Sequence, residues 1–353
     1  MDIVKLLEKT ISAAASDLHI VVGLPPMIRV EGELSPVEER PLTDEETQEM
    51  VFSLLSPEQK DLFLVNRELD FSYDHEAKGR FRVNAYHQKG FVSAALRLIP
   101  SQIRTIEELN LPKVLHDFAK LRQGFVLVTG PTGHGKSTTL AAVIQEINET
   151  QASHIVTVED PIEYVYPIGR SIISQRELHS DTHSWEIALR SALREDPDVV
   201  LIGEMRDYET IAAALTIAET GHLVFATLHT NSAAQTIDRI VDVFPEHQQA
   251  QVKMQLSNTL EAVLSQRLLP SVTGGRIPVA EILLANAAVR TTIREGKTHL
   301  IDNVIQTSAD IGMNTLETSM AYWVKAGKLS LQVATEWALR PAELRRLVRG
   351  GKE

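Results

Sequence analysis

The sequence predicts an α/β protein in two parts. A smaller mixed α/β module spans residues 1–100, and a parallel-sheet domain spans 106–353, turning helical from about residue 285. Three observations lead there. A chain of 353 residues is too long for one small domain and suits two. Pro100-Ser101-Gln102 opens a linker, taken over 101–105, and the residue pattern changes across it. Beyond it, near-continuous apolar runs alternate with helical segments, as they do when a parallel sheet is buried on both faces.

The first module begins with a helix over roughly Asp2 to Ala15, then a strand in Ser16–Ile20. Gly23 to Pro26 is a turn, and Met27 to Leu34 is a short strand interrupted at Gly32. Thr43 caps a helix, with Glu46 three residues on, the pattern of a capping box. Arg80 to Tyr86 and Phe91 to Leu98 form a hairpin around His87-Gln88-Lys89-Gly90. In the second part the apolar strands are Phe125–Thr129, Ile155–Val158, Val199–Ile202 and Leu223–Leu228.

Composition excludes several classes. With 43% hydrophobic and 23% charged residues the chain has ordinary globular proportions. No uninterrupted apolar run approaches the roughly 18 residues of a membrane span. The start, MDIVKLLEKT, lacks the layout of a secretory signal, so a cytoplasmic location is expected. There is no cysteine, which removes disulfides, thiolate zinc sites and cysteine nucleophiles. A net charge of -12 argues against nucleic acid as a partner, because DNA binding depends on neutralising phosphates with Lys and Arg.

Gly130-Pro131-Thr132-Gly133-His134-Gly135-Lys136-Ser137 fits G-x-x-x-x-G-K-[ST] at every fixed position, after an apolar strand and before a helix. The chemistry it serves is the cradling of phosphates. Backbone N–H groups of Thr132 to Thr138 curl around them and the helix N-terminus adds partial positive charge. Lys136 reaches the β- and γ-phosphates, and the Ser137 hydroxyl binds Mg²⁺. A chance match is on the order of 1% in a chain of this length. ATP and Mg²⁺ are the expected ligands. His134 fills a free position of the motif and has no required catalytic part.

Ligands of open parallel sheets sit beyond the carboxyl ends of the strands. Here those ends carry Glu159, Asp160 and Glu163, then Gly203 and Glu204, then His229. Glu204 is placed to hold Mg²⁺ through water, Glu163 to orient or deprotonate the attacking water, and the two roles are exchangeable. His229 is placed to contact the γ-phosphate. His222, at the other end of its strand, reads as structural. In the hairpin, pairing Tyr86 with Phe91 sets Arg82 opposite Ala95 and Arg80 opposite Arg97, with all three arginines on one face. Like charges so placed call for an anion. Either Asp70 or Asp74 supplies it, or Arg82 and Arg97 reach the triphosphate of an adjacent subunit.

Val158–Tyr164, Arg190–Asp198 running into Ile202–Asp207, and Glu219–Leu223 running to Thr230 resemble the acidic box, atypical Walker B and histidine box of the type II/IV secretion ATPase superfamily. Ala15–His19 and Gly23–Val30 are similar to the start of its type IV pilus retraction (twitching motility) ATPases. The resemblance covers the chain to about residue 325. It implies a PAS-like first domain, a RecA-like ATPase domain and a homohexamer. The motor it implies draws pilin back into the membrane by Mg-dependent ATP hydrolysis, working in the cytoplasm against an inner-membrane platform protein at the pilus base. Extension and secretion members usually carry an extra N-terminal domain and a four-cysteine zinc site, so the short first module and the absence of cysteine favour retraction. Ala288–Glu295 is similar to a C-terminal segment associated with retraction, departing from it at Thr291 and Thr292. The alternatives are an accessory retraction paralogue, an extension or type II secretion ATPase, a translocase, and a nucleotide-binding regulator without turnover. The stretch Pro100 to Thr105 is the expected hinge.

Overall fold

The computed structural model describes residues 2–30, 32–75, 79–99 and 102–350. It divides into two compact units, 1–102 with 161–165, and 103–160 with 166–353. Two residues of the expected hinge, Pro100 and Ser101, lie outside the described residues.

The first unit is one antiparallel sheet with helices packed on it. Its strands are β1 (Asp17–Ile20), β2 (Met27–Val30), β3 (Glu33–Pro36), β4 (Glu68–His75), β5 (Gly79–Gln88) and β6 (Phe91–Ile99), in the order β3-β2-β1-β6-β5-β4. The helix Asp44–Ser53 starts at the expected capping box: the Thr43 hydroxyl accepts from the Glu46 N–H, and Glu46 accepts from the Thr43 N–H. Strict alternation on β5 buries Phe81, Val83 and Ala85 against Leu96 and Ala94 of β6, and Leu6, Leu7, Leu18 and Phe63 complete the core. Two expectations need correction. The strand placed over Met27 to Leu34 is two strands, because Gly32 (φ +92°) turns the chain into the β2–β3 hairpin. The β5–β6 hairpin is shorter at its loop than expected, with Gln88 facing Phe91 and only Lys89-Gly90 between them. Both turn residues have positive φ, +51° and +88°. A two-residue turn of this kind matches the right-handed strand twist. The register therefore shifts: Arg82 faces Arg97, and Arg80 faces Ile99. The helix Pro57–Asn66 and strand β4 had no counterpart in the sequence reading.

The second unit is built on β7 (Gly124–Thr129), β8 (His154–Glu159), β9 (Ile172–Glu177), β10 (Val199–Ile202), β11 (Leu223–Leu228), β12 (Leu260–Pro270) and β13 (Arg276–Leu284), in the order β13-β12-β7-β11-β10-β8-β9. Every pairing is parallel except β12–β13. The four expected apolar strands are its adjacent middle strands. Their side chains alternate between two cores. Val200, Ile202, Val224 and Ala226 pack with the helices Tyr208–Glu219 and Ala233–Asp242. Val199, Leu201, Leu223 and Phe225 pack with the helix Lys136–Thr150. Burial on both faces explains why these strands read as unbroken apolar runs.

After β13 the chain turns helical, with Asn286 capping Ala287–Arg294. The helices Leu316–Lys325, Leu331–Trp337 and Pro341–Arg349 enclose a small core of Leu269, Ile277, Met320, Ala334 and Leu344. Arg340, which precedes the last helix, is an anchor. It binds the fully buried Glu317 through its main-chain N–H (2.8 Å) and guanidinium (3.0 Å), and it reaches Asp302 at 3.2 Å and Glu343 at 3.1 Å. Nearby on β13, Glu281 accepts the Ala233 N–H at 2.7 Å. Burial pushes its carboxyl up to about 7 against the pull of that hydrogen bond, and Asp302 and Glu317 push in the same direction.

Folded Glu281 thus holds its proton to about pH 7, whereas an unfolded glutamate releases it near 4.3. Its contribution to stability is present below the unfolded value and is lost as pH rises through the folded one. Glu281→Gln keeps an acceptor for Ala233, so denaturant unfolding should show no change at pH 4 and a gain of roughly 3 kcal/mol at pH 8. An equal effect at both pH values would show that the carboxyl titrates normally.

Candidate functional site

Strand β7 lies in the middle of the second sheet and delivers Gly130 at its carboxyl end, and the helix that follows starts at Lys136. Two of the loop glycines are dictated by geometry. Gly130 has φ +140°, and a Cβ there would sit 2.2 Å from the main-chain oxygen of Gln266 on β12. Gly135 has φ +80°, and a Cβ would come within 3.0 Å of Gln266 Nε2. Strand β12 therefore lies directly against the loop and braces it. Gln266 Nε2 donates to the His134 carbonyl (2.8 Å), the Leu268 N–H donates to His134 Nδ1 (2.9 Å), and Arg276 donates to the Gly133 carbonyl (3.0 Å). Burial lowers the His134 pKa, and the nearby cations Arg267, Arg276 and Lys136 lower it further, in keeping with a ring nitrogen that accepts a hydrogen bond. Ser137 and Thr138 follow in the first helical turn.

Lys136 is only 8% exposed. Its ammonium donates to the carbonyls of Gly130 (3.0 Å) and Pro131 (3.2 Å) and lies 3.5 Å from His229 Nδ1. A phosphate oxyanion is a stronger acceptor than a neutral carbonyl, so these contacts hold the charge in place and yield it readily.

The ends of the neighbouring strands complete the arrangement. Parallel pairing of β10 with β11 sets Glu204 beside His229, and Glu204 Oε1 lies 2.9 Å from His229 Nε2. Arg206 grips the same carboxylate with two nitrogens, each at 2.8 Å. Burial raises the Glu204 pKa, but the hydrogen bond from Arg206 and the neighbouring His229 outweigh it and hold the carboxyl below its usual range. A ring nitrogen facing a carboxylate carries the proton, which leaves His229 Nδ1 as an acceptor toward Thr132 Oγ1 (3.3 Å) and Lys136 Nζ (3.5 Å). Arg206, Glu204, His229, Thr132 and Lys136 thus form one connected chain under the phosphate loop. Arg206 had no assigned role in the sequence reading. The signal available was an arginine two residues beyond a strand-end glutamate, which puts both side chains on the same side of an extended segment.

The remaining expected residues have other settings. Glu163 is exposed on the segment after β8, within 161–165, and that segment belongs to the first compact unit. His222, before β11, bonds to Thr220 Oγ1 (2.9 Å) and to the Ile217 carbonyl (3.1 Å), closing the end of the preceding helix. The three arginines share one face of the first sheet, and two are already paired: Arg80 with Asp74 at 3.0 Å and Arg97 with Asp17 at 3.0 Å. Burial raises the Asp17 pKa, but hydrogen bonds from Ser16 and Arg97 bring it below the usual range. Arg82 is exposed, and its side chain has no ion pair or hydrogen bond among the described residues.

An open parallel sheet, a glycine loop at the carboxyl end of a central strand, and a buried lysine at the next helix define a P-loop nucleoside triphosphatase. The chain belongs to the Type II/IV secretion system protein family, whose model matches residues 76–274. It is 47% identical to the type IV pilus retraction ATPase PilT of Pseudomonas aeruginosa over 341 residues, 97% of this chain and 99% of the relative. It is 50% identical to a twitching motility protein of Neisseria gonorrhoeae over 310 residues, 88% of this chain and 83% of the relative. The crystal structure of the pilus retraction motor PilT with bound ADP superposes with a TM-score of 0.92 at 44% identity, covering 98% of this chain and 99% of that one.

The two loop glycines at 130 and 133 separate strain from contact. A Cβ at Gly133 (φ +77°) would meet nothing within 4 Å, so Gly133→Ala should cost only the backbone term, about 1 kcal/mol. Gly130→Ala must displace β12 as well and should cost more than about 3 kcal/mol and abolish nucleotide binding. Comparable melting temperatures for the two variants would contradict the close approach of Gln266.

Proposed function

We infer that this chain is the ATPase of a type IV pilus retraction motor. The observation that carries the reading is the near full-length likeness to PilT, in sequence and in fold, around an intact chain of Lys136, His229, Glu204 and Arg206. Lys136 neutralises the β- and γ-phosphates of ATP while the N–H groups of Thr132 to Thr138 cradle them. Mg²⁺ suits the donors present: the Ser137 hydroxyl and an ionised Glu204 are hard oxygen ligands, and this ion keeps several of its waters. When bound, Mg²⁺ neutralises charge on the transferring phosphate.

Electrostatics divides the two glutamates. Glu204 is held ionised with both oxygens engaged, so it is a weak base and a good anchor. That leaves Glu163 as the group that orients or deprotonates the attacking water. His229, whose Nδ1 faces Lys136, is the proposed contact to the γ-phosphate. Arg97 has its own carboxylate and Arg82 has none among the described residues, so Arg82 is the stronger candidate to stabilise a neighbour's triphosphate in a homohexamer. Among the described residues no helix is long and apolar enough to cross a membrane. A motor of this kind works from the cytoplasmic side against an inner-membrane platform protein.

Lys136→Ala should abolish Mg-dependent ATP hydrolysis, and cells carrying it should display many pili that extend and never shorten. Residual hydrolysis above about 1% would displace the phosphate loop as the catalytic site. Arg82→Ala should lower turnover at least about tenfold with unchanged circular dichroism, and Arg97→Ala should lower it less. Unchanged turnover in Arg82→Ala would end its assignment in trans.

A further inference from the structure

Strand β12 runs past the end of β7. Their pairing stops at Ser265 and Thr129, while β12 continues to Pro270. Beyond that point, main-chain groups on this side of β12 have no strand to meet, and an unpaired buried N–H is costly. The side chain of His134 stands in for the missing strand, its Nδ1 accepting the Leu268 N–H at 2.9 Å. The same imidazole lies 5.7 Å from the ring of Trp337, centroid to centroid, tilted by 56°. Trp337 ends the helix Leu331–Trp337, and its carbonyl accepts from Arg267 of β12 at 2.7 Å. Three residues further on, Arg340 is fixed to buried Glu317. One side chain of the phosphate loop is therefore joined to a sheet edge and to the end of an anchored C-terminal helix.

We propose that His134 is a positioning residue that couples the phosphate loop to the C-terminal helices through Leu268 and Trp337. Phosphate oxygens drawn onto the loop N–H groups shift the loop backbone, and His134 shifts with it. The ring then either carries Leu268 and Trp337 along or releases them. In both cases the helix Leu331–Trp337 responds to what occupies the loop. Coupling of this kind is reciprocal, so disturbing Trp337 weakens nucleotide binding. The proposal rests on the phosphate loop being the nucleotide site.

The chain has three tryptophans, and replacing Trp185 and Trp323 by phenylalanine leaves Trp337 as the single reporter. In the full-length chain, ADP with Mg²⁺ should shift Trp337 emission along the same saturation curve as calorimetric binding. His134→Ala should abolish the shift while ADP still binds, and His134→Asn, whose amide oxygen can accept from Leu268, should restore it. ADP binding with silent Trp337 emission, or a full response in His134→Ala, would overturn the coupling. If the reporter chain does not fold, the otherwise native chain gives the answer. His134→Ala and Trp337→Ala should each raise the KM for ATP about fivefold with kcat within about twofold, and His134→Asn should stay near wild type. An unchanged KM in Trp337→Ala would also overturn it. Lys136→Ala is the control: if it binds ADP normally the nucleotide site lies elsewhere, and if it loses ADP any silence at Trp337 counts against the coupling alone.

Discussion

The nucleotide loop exists in its present form because two backbones pass closer than a methyl group allows. Where β7 ends, the chain at Gly130 runs against the main chain of Gln266, and only a residue without Cβ fits. Everything at the site is referred to that contact. It fixes where the loop starts, and β12 then supplies Gln266, Leu268 and, through the β12–β13 hairpin, Arg276 as braces along the loop. A loop held at so many points is ordered before a ligand arrives, which spares the entropy of ordering it on binding.

The parallel sheet does the rest of the positioning. Because β7, β11, β10 and β8 run in one direction, their carboxyl ends emerge together, and the residues just beyond them meet. Glu204 and His229 are distant in sequence and adjacent in space for this reason. The carboxylate has two cationic or proton-bearing neighbours, so it stays charged despite partial burial. The imidazole is oriented by that carboxylate, leaving its other nitrogen toward Lys136. Each group sets the protonation or direction of the next.

How far the sequence could be read follows from which signals were local. The phosphate loop, the capping box at Thr43 and the four apolar strands are local patterns with one physical meaning each, and they stand where expected. Strand β12 was missed because it follows its helix directly at Leu260, with no turn residue to mark the change. Strand β9, Ile172–Glu177, sits at the sheet edge, and only part of it is apolar. The β5–β6 register went wrong because Lys89 adopts a positive φ that asparagine or glycine would have advertised. Arg206 and the role of Arg340 depend on partners whose placement only the fold decides. The family resemblance supplied what local patterns could not: which machine the site serves.

The buried ion cluster around Arg340 has a mechanical meaning. The C-terminal helices enclose a small apolar core, so little hydrophobic area resists their release. They are also held by Glu317, a fully buried carboxylate whose partner sits at the start of the last helix. Separating such a pair leaves a charge without compensation in a poorly solvating place. The end of the chain is therefore seated by charge as well as by apolar packing, with one buried carboxylate tying the start of the last helix to the helix Leu316–Lys325.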